Sequence, residues 1–176
     1  MVEFARYSPG VTPSTRLPIT LAPLTLGDVD RCAALAAARE GADIDTWRRA
    51  FSAALKDLGH IVVVAHHVGE LVGYGKATWL DPGARDARGM PAGWYLTGVI
   101  VAPNHRRRGV AGQLTSARLD AAVARGAQEV WCFASAVNRA SILLHEQLGF
   151  VEVTRDFALP GLEFSGGEGI LMRWQS

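Results

Sequence analysis

The sequence predicts an α/β (α+β) fold: a single mixed, mostly antiparallel central sheet of about seven strands, with helices on both faces. Three observations predict it. Segments of strand and helix pattern alternate in the order β-α-α-β-β-β-α-β-α-β-β, which suits one sheet covered on both sides. A run of β-branched residues, Val99–Val101, leads through a short basic turn into helical spacing at Val110, Leu114, Ala117 and Ala121. The chain has 176 residues, 49% hydrophobic and 20% charged, enough for one real core.

In chain order, Met1 to Pro18 contains Pro9, Pro13 and Pro18 and no long apolar run. It reads as an irregular arm, not a signal peptide or a membrane span. Residues 19–176 read as one domain. Ile19 to Leu24 is the first strand. Asp28 stands where a helix N-cap would, before the alanine-rich helix Val29–Arg39. Thr46 to Leu58 is a second helix, with Trp47, Phe51 and Leu55 at helical spacing and Gly59 as its stop. Ile61–Ala65 and Leu71–Trp79 form a hairpin around Val68-Gly-Glu70. Leu80 to Gly93 is a loop rich in Gly, Pro and Asp. Trp94–Val101 is the strand that enters the basic turn, and the helix after it ends near Gly126. Glu129–Ala134 is a strand and Asn138–Leu148 a helix closed by Gly149. Phe150–Phe157 and Ile170–Trp174 are the last strands, joined by the Gly-rich loop Pro160–Gly169.

The chemistry concentrates where Val101 gives way to the helix. Pro103 has no N–H for a ladder, so the strand stops there. A turn that opens a helix aims unpaired N–H groups at one point, and the helix dipole draws anions to it. Gly109, Ala111 and Gly112 let a phosphate come close to the backbone, and Arg106, Arg107 and Arg108 add forked donors. The pattern is neither a P-loop nor a Gly-x-Gly-x-x-Gly turn. It points to a phosphorylated ligand, a pyrophosphate above all, or else to a capped helix with a solvated basic loop.

Arg106-Arg-Arg-Gly109-Val-Ala111, preceded by Val101-Ala-Pro103 and followed by Asn138 and Leu148-Gly-Phe150, resembles the GCN5-related N-acetyltransferase (GNAT) family. The likeness is good from Trp94 to Phe157 and holds elsewhere only in outline. It implies a GNAT-like acyl-CoA N-acyltransferase fold, acetyl-CoA as cosubstrate, no metal, and transfer of the acetyl group to an amine. By this resemblance the N–H groups from Arg107 through Val110 to Gly112 hold the pyrophosphate. The backbone of Val99, Ile100 and Val101 bonds the pantetheine arm like an added strand. For that, Trp94–Val101 and Glu129–Ala134 must part, and Gly98 marks a candidate bulge. An N–H near Val101 would steady the oxyanion. Asn138 contacts the cofactor arm in the family; it also reads as a plain N-cap. His145 stands where the family usually has the tyrosine that protonates the leaving thiolate, and a histidine can do that work. The family's carboxylate base falls here at about Tyr95, so Tyr95 and Ser135 are the candidates for a relay through water, with wall and core roles as the alternatives. Glu40, Asp43 and Asp45 can attract a cationic amine or simply cap helices.

Composition narrows the partners. A formal net charge of +1 argues against a nucleic-acid surface. Cys32 and Cys132 lie far apart in apolar segments, which suits buried free thiols in a reducing, cytoplasmic setting. His66 and His67 are adjacent and project to opposite faces of a strand, so they make a poor metal site. The leading expectation is an acetyl-CoA-dependent N-acetyltransferase for a small-molecule amine, with no membrane partner. The alternatives are a protein or peptide acceptor, and a non-catalytic acyl-CoA-binding module. The two long loops read either as lids or as homodimer contacts.

Overall fold

The computed structural model describes residues 16–41, 43–81, 83 and 88–176. The irregular arm expected at the N-terminus lies, apart from its last residues, outside the described residues. Its end is held in place: the Leu17 N–H donates to the Arg108 carbonyl at 3.0 Å, and Leu17 is buried.

The elements follow the predicted order: β1 Thr20–Pro23, α1 Val29–Glu40, α2 Ile44–Ala54, β2 His60–His67, β3 Glu70–Leu80, β4 Gly93–Val101, α3 Val110–Ala124, β5 Glu129–Ser135, α4 Arg139–Glu146, β6 Val151–Thr154 and β7 Gly169–Gln175. Helix α1 stops at Gly41, whose φ of +73° suits a glycine, and the Gly41 N–H returns to the Ala37 carbonyl. Asp43 then caps α2, accepting from the N–H of Asp45 and Thr46. Helix α2 is shorter than the apolar spacing suggests. It ends at Ala54 because Asp57 competes for the backbone: Oδ1 accepts from the Gly59 N–H at 2.8 Å, and Oδ2 lies 2.9 Å from His60 Nδ1. That turn feeds β2.

The strands form one sheet in the order β1-β2-β3-β4-β5-β7-β6. Among the described residues every pairing is antiparallel except β4 with β5. One face packs on α3 and α4 through Val110, Leu114, Leu119, Ala122 and Phe150. On the other face α1 and α2 cover only the β1–β3 side, through Cys32, Ala33, Ala36 and Phe51 against Val62, Val64 and Tyr74. Beyond them the cover is an aromatic cluster of Tyr95, Trp131 and Phe157 with Leu80, Met90 and Leu171. The two long loops meet over it, where Arg88 and Ala158 exchange backbone hydrogen bonds at 2.9 and 2.8 Å. Cys32 and Cys132 are both free and buried. His66 Nε2 pairs with Asp28 at 3.0 Å, and His67 Nδ1 meets the Pro18 carbonyl at 2.7 Å, so both fasten β1 and its flanks.

Candidate active site

The site begins where the parallel pair comes apart. Strand β4 pairs with β5 at Trp94–Val130, Tyr95–Trp131 and Leu96–Cys132, and no further. From Thr97 onward β4 stays with β3, while Phe133–Ser135 stay with β7. The two strands therefore diverge into a fork whose left edge is the backbone of Val99–Val101. Register explains the divergence. Gly75 pairs with Val99 and Ala77 with Leu96, so Thr97 and Gly98 together stand opposite Lys76. Gly98, at φ +130°, supplies the bulge expected of it.

A bulge frees backbone groups, and a buried side chain meets them here. Arg118 of α3 is 1% exposed, and its Nη1 donates to the carbonyls of Lys76 and Gly98, both at 2.8 Å. Its Nη2 donates to Thr115 Oγ1 at 2.8 Å and its Nε to the Leu114 carbonyl at 3.3 Å. Burial pulls the guanidinium down to about 10, so it stays charged at neutral pH. Gly75 makes room for it: a Cβ there would lie 2.6 Å from Arg118 Cδ. Sequence reading missed this residue. The available signal was an arginine four residues after Leu114, on the stripe of α3 that faces the core.

Above the fork, Gly109 opens α3 at φ +77°. The Gln113 N–H is the first to bond back, to the Gly109 carbonyl at 3.2 Å. The N–H groups of Val110, Ala111 and Gly112 therefore have no intrahelical carbonyl and face out of the helix end. A cavity of about 410 Å³ lies beside them, lined by Gly109, Gly112, Gln113, Leu144 and Leu148 of the α3–α4 side and by Arg16. Arg16 is a second residue that the motif did not reveal; its Cγ lies 3.3 Å from where a Cβ on Gly109 would be. The three arginines of the turn do not act alike. Arg106 folds back, donating from Nε to the Val101 carbonyl at 2.9 Å, and so ties the end of β4 to the turn. Arg107 takes the left-handed conformation at φ +61°. Arg108 contributes the carbonyl that holds Leu17.

The other sequence-predicted residues are placed as follows. Asn138 caps α4, its Oδ1 accepting from the Ser141 N–H at 3.1 Å. His145 is 6% exposed and stands edge-on to Phe150, with ring centroids 5.3 Å apart. Its Nδ1 sits 2.8 Å from the Ser141 carbonyl and so carries the proton. Its Nε2 is buried without a partner among the described residues, and burial pushes the imidazole down to about 4. At neutral pH that ring is neutral and has only a lone pair to offer at Nε2. The Tyr95 hydroxyl donates to the Pro91 carbonyl at 2.7 Å, its ring stacks on Trp131, and burial raises its pKa. The Ser135 hydroxyl donates to the Ser165 carbonyl at 2.6 Å. Of the three acids in the α1–α2 connection, Asp43 is spent on the cap and Asp45 pairs with Arg48 at 2.6 Å. Among the described residues no cluster of His, Cys, Asp and Glu could hold a metal ion, and no helix is long and apolar enough to cross a membrane.

A backbone fork beneath an open helix end is an arrangement that can be compared with known proteins. No curated protein matches the chain in sequence. Among solved structures, yncA from Salmonella typhimurium, solved with its cofactor acetyl-CoA, superposes with a TM-score of 0.69 at 21% identity, covering 90% of this chain and 94% of that one. A ribosomal-protein-alanine N-acetyltransferase from Brucella melitensis gives 0.69 at 23% identity, covering 89% and 99%. A spermidine N-acetyltransferase from Vibrio cholerae gives 0.66 at 20% identity, covering 89% and 93%. At these identities the likeness establishes the fold. A model of the acetyltransferase (GNAT) family matches residues 31–150, a span that includes β4, the basic turn, α3, β5 and α4. That match covers most of the chain, and the chain belongs to the acetyltransferase (GNAT) family.

Proposed function

We propose that this protein moves the acetyl group of acetyl-CoA to a primary amine of a small molecule, by direct attack in a ternary complex. The observation that carries the reading is the fork itself: β4 leaves β5 after Leu96, directly below a helix end whose first three N–H groups have no intrahelical carbonyl. The N–H groups of Val110, Ala111 and Gly112 would hold the diphosphate, with Arg16, Arg107 and Arg108 supplying positive charge around it. The pantetheine amides would pair with the free edge of Val99–Val101. The thioester then lies at the bulge, where a main-chain N–H of β4 faces the developing oxyanion.

The amine attacks the thioester carbon, the C–S bond breaks, and coenzyme leaves as a thiolate that takes up a proton. The acceptor must shed a proton to expose its lone pair. The hydroxyls of Tyr95 and Ser135 are committed to carbonyls, and His145 is neutral. This reading therefore sends both protons through water in the open crevice, and gives those three side chains the task of shaping its walls. Calorimetry with acetyl-CoA tests the first half, and free-thiol release over a panel of amines tests the second. Tight coenzyme binding with amine-dependent thiol release is expected. Coenzyme binding without release for any amine would leave a binding module instead.

A further inference from the structure

On the α2 side of the fork lies a second, smaller cavity of about 90 Å³, lined by Trp47, Ala50, Phe51, Ala54, His60, Lys76 and Thr78. That is the volume of roughly three waters, room for a head group and not for a whole substrate. Two donors belong to its wall. Trp47 Nε1 lies just behind the cavity surface, buried and with no hydrogen-bond partner among the described residues. The Lys76 ammonium lies 5.6 Å from the Trp47 ring centroid, and no carboxylate among the described residues comes within ion-pair distance of it. Burial pulls Lys76 below its ordinary value; Glu40 opposes that from a distance, and Arg118, behind the sheet, adds to it. The ammonium rests over the Trp47 ring as a cation–π contact, but no described carboxylate supplies its counter-charge and the indole N–H has no acceptor, so an anionic oxygen group seated beside Lys76 would complete the site.

The cavity adjoins the bulge, where the acetyl-transfer reading puts the thioester. Lys76 is the residue that the bulge leaves opposite Thr97 and Gly98, and its Cε lies 3.9 Å from where a Cβ on Gly98 would be. Thr78, on the same wall, shares a 2.9 Å hydrogen bond with Thr97, the first residue of β4 past the pairing with β5. An acceptor that puts an acid group in this cavity holds its amine within a few atoms of the thioester.

From this geometry we propose that the acceptor is an amine carrying its own carboxylate or phosphonate, with the acid group bound by Lys76 and Trp47. This rests on the acetyl-transfer reading and narrows it. Specificity here is electrostatic: Lys76 and Arg118 flank the bulge from opposite faces, so a polyamine would be repelled where an amino acid is held.

Matched acceptors test it by thiol release: an α-amino acid against its decarboxylated amine, an aminoalkylphosphonate against the plain alkylamine, and a polyamine. The acid-bearing member of a pair should show the higher kcat/KM by roughly 10- to 100-fold. Lys76→Met should erase that ratio while leaving acetyl-CoA affinity, read by calorimetry in the same samples, unchanged. Lys76→Gln guards against a folding defect, and Trp47→Phe should lower the ratio by less. Preference for the plain amine or the polyamine, turnover of no acid-bearing member, or an undiminished ratio in both Lys76 variants would overturn the proposal. Failure of the wild-type chain to bind acetyl-CoA would instead sink the acetyl-transfer reading beneath it.

Discussion

The two faces of the sheet at the β4 fork are built from different materials. On the α3 side the edges are main chain: the helix-end N–H groups of Val110–Gly112, the strand edge Val99–Val101, and glycines that keep side chains out of the way. On the α2 side the edges are side chains: Trp47, Lys76, Thr78, Thr97. Main-chain donors serve a ligand part that does not vary, such as a diphosphate and its arm. Side chains can be exchanged without disturbing the fold, so they are where one acetyltransferase can differ from another. Arg118 joins the two sides, because its guanidinium holds the carbonyls of both Lys76 and Gly98.

The largest expected effect comes from breaking that joint. Arg118→Met leaves the carbonyls of Lys76 and Gly98 without the donor that now bridges them. A stability loss of about 3 kcal/mol or more follows from orphaning buried acceptors. Urea unfolding would read it, and acetyl-CoA affinity should fall as well, because the edge of the fork loses its anchor. Arg118→Lys should recover part of both. If Arg118→Met keeps full stability and full coenzyme affinity, Gly98 alone sets the bulge and the two faces are not joined in this way.

Gly109→Glu acts on the α3 side alone. It asks a Cβ-bearing residue to adopt φ +77°, which costs about 1 kcal/mol, and places a carboxylate at the open helix end proposed for the phosphates. Acetyl-CoA should bind roughly 100-fold more weakly by calorimetry, a difference of about 2.7 kcal/mol. Gly109→Ala separates the two causes, since it carries the strain without the charge. Acceptor preference should not move in either variant, which sharpens the division between the faces.

The sequence exposed these two faces unequally, for a physical reason. Gly109, Val101-Ala-Pro103 and Gly98 do jobs that few residues can do, so the motif carries the geometry with it. The open helix end, the strand edge and the bulge were all readable. Lys76 looks like an ordinary polar residue of an alternating strand, and Trp47 like one more apolar position of an amphipathic helix. Only the three-dimensional register, two residues of β4 against one of β3, brings Lys76 beside Gly98. Arg118 was hidden by the opposite effect: a charged residue on a helix suggests solvent, and its four acceptors come from three separate stretches of chain. Arg106 reads as a phosphate ligand in the motif, and the structure adds a second task for it, since its Nε holds the Val101 carbonyl.

His145 offers a test of whether the α4 wall contributes chemistry or packing. Its folded pKa of about 4 lies below the ordinary 6.5. Above pH 6.5 the ring is neutral in both states and nothing is lost. As pH falls from 6.5 to 4 the unfolded chain takes up a proton that the folded chain refuses, so stability declines across that window, by about 3 kcal/mol in all. His145→Leu should flatten that decline when unfolding is followed from pH 7 to 4. If His145 serves as packing, the same variant keeps its turnover per coenzyme-bound molecule at pH 7.5; a fall of more than about tenfold there would return it to the reaction.

The smallest effect is expected at Tyr95, and it bears on the α2 side directly. The hydroxyl makes one hydrogen bond, to the Pro91 carbonyl, inside an aromatic cluster under the two long loops. Tyr95→Phe removes that bond and nothing else, for a loss of about 1 kcal/mol. A wall residue predicts that small fall in stability, unchanged acetyl-CoA affinity, and the same pH profile of kcat. A proton relay predicts the same small fall in stability together with a lower kcat and a shifted alkaline limb, because the path from the ammonium would be cut. The two outcomes differ in kind as well as in size. A relay signature would also move the thioester toward the aromatic cluster and away from Lys76, so Tyr95→Phe tests the place of the reaction centre as much as the role of one hydroxyl.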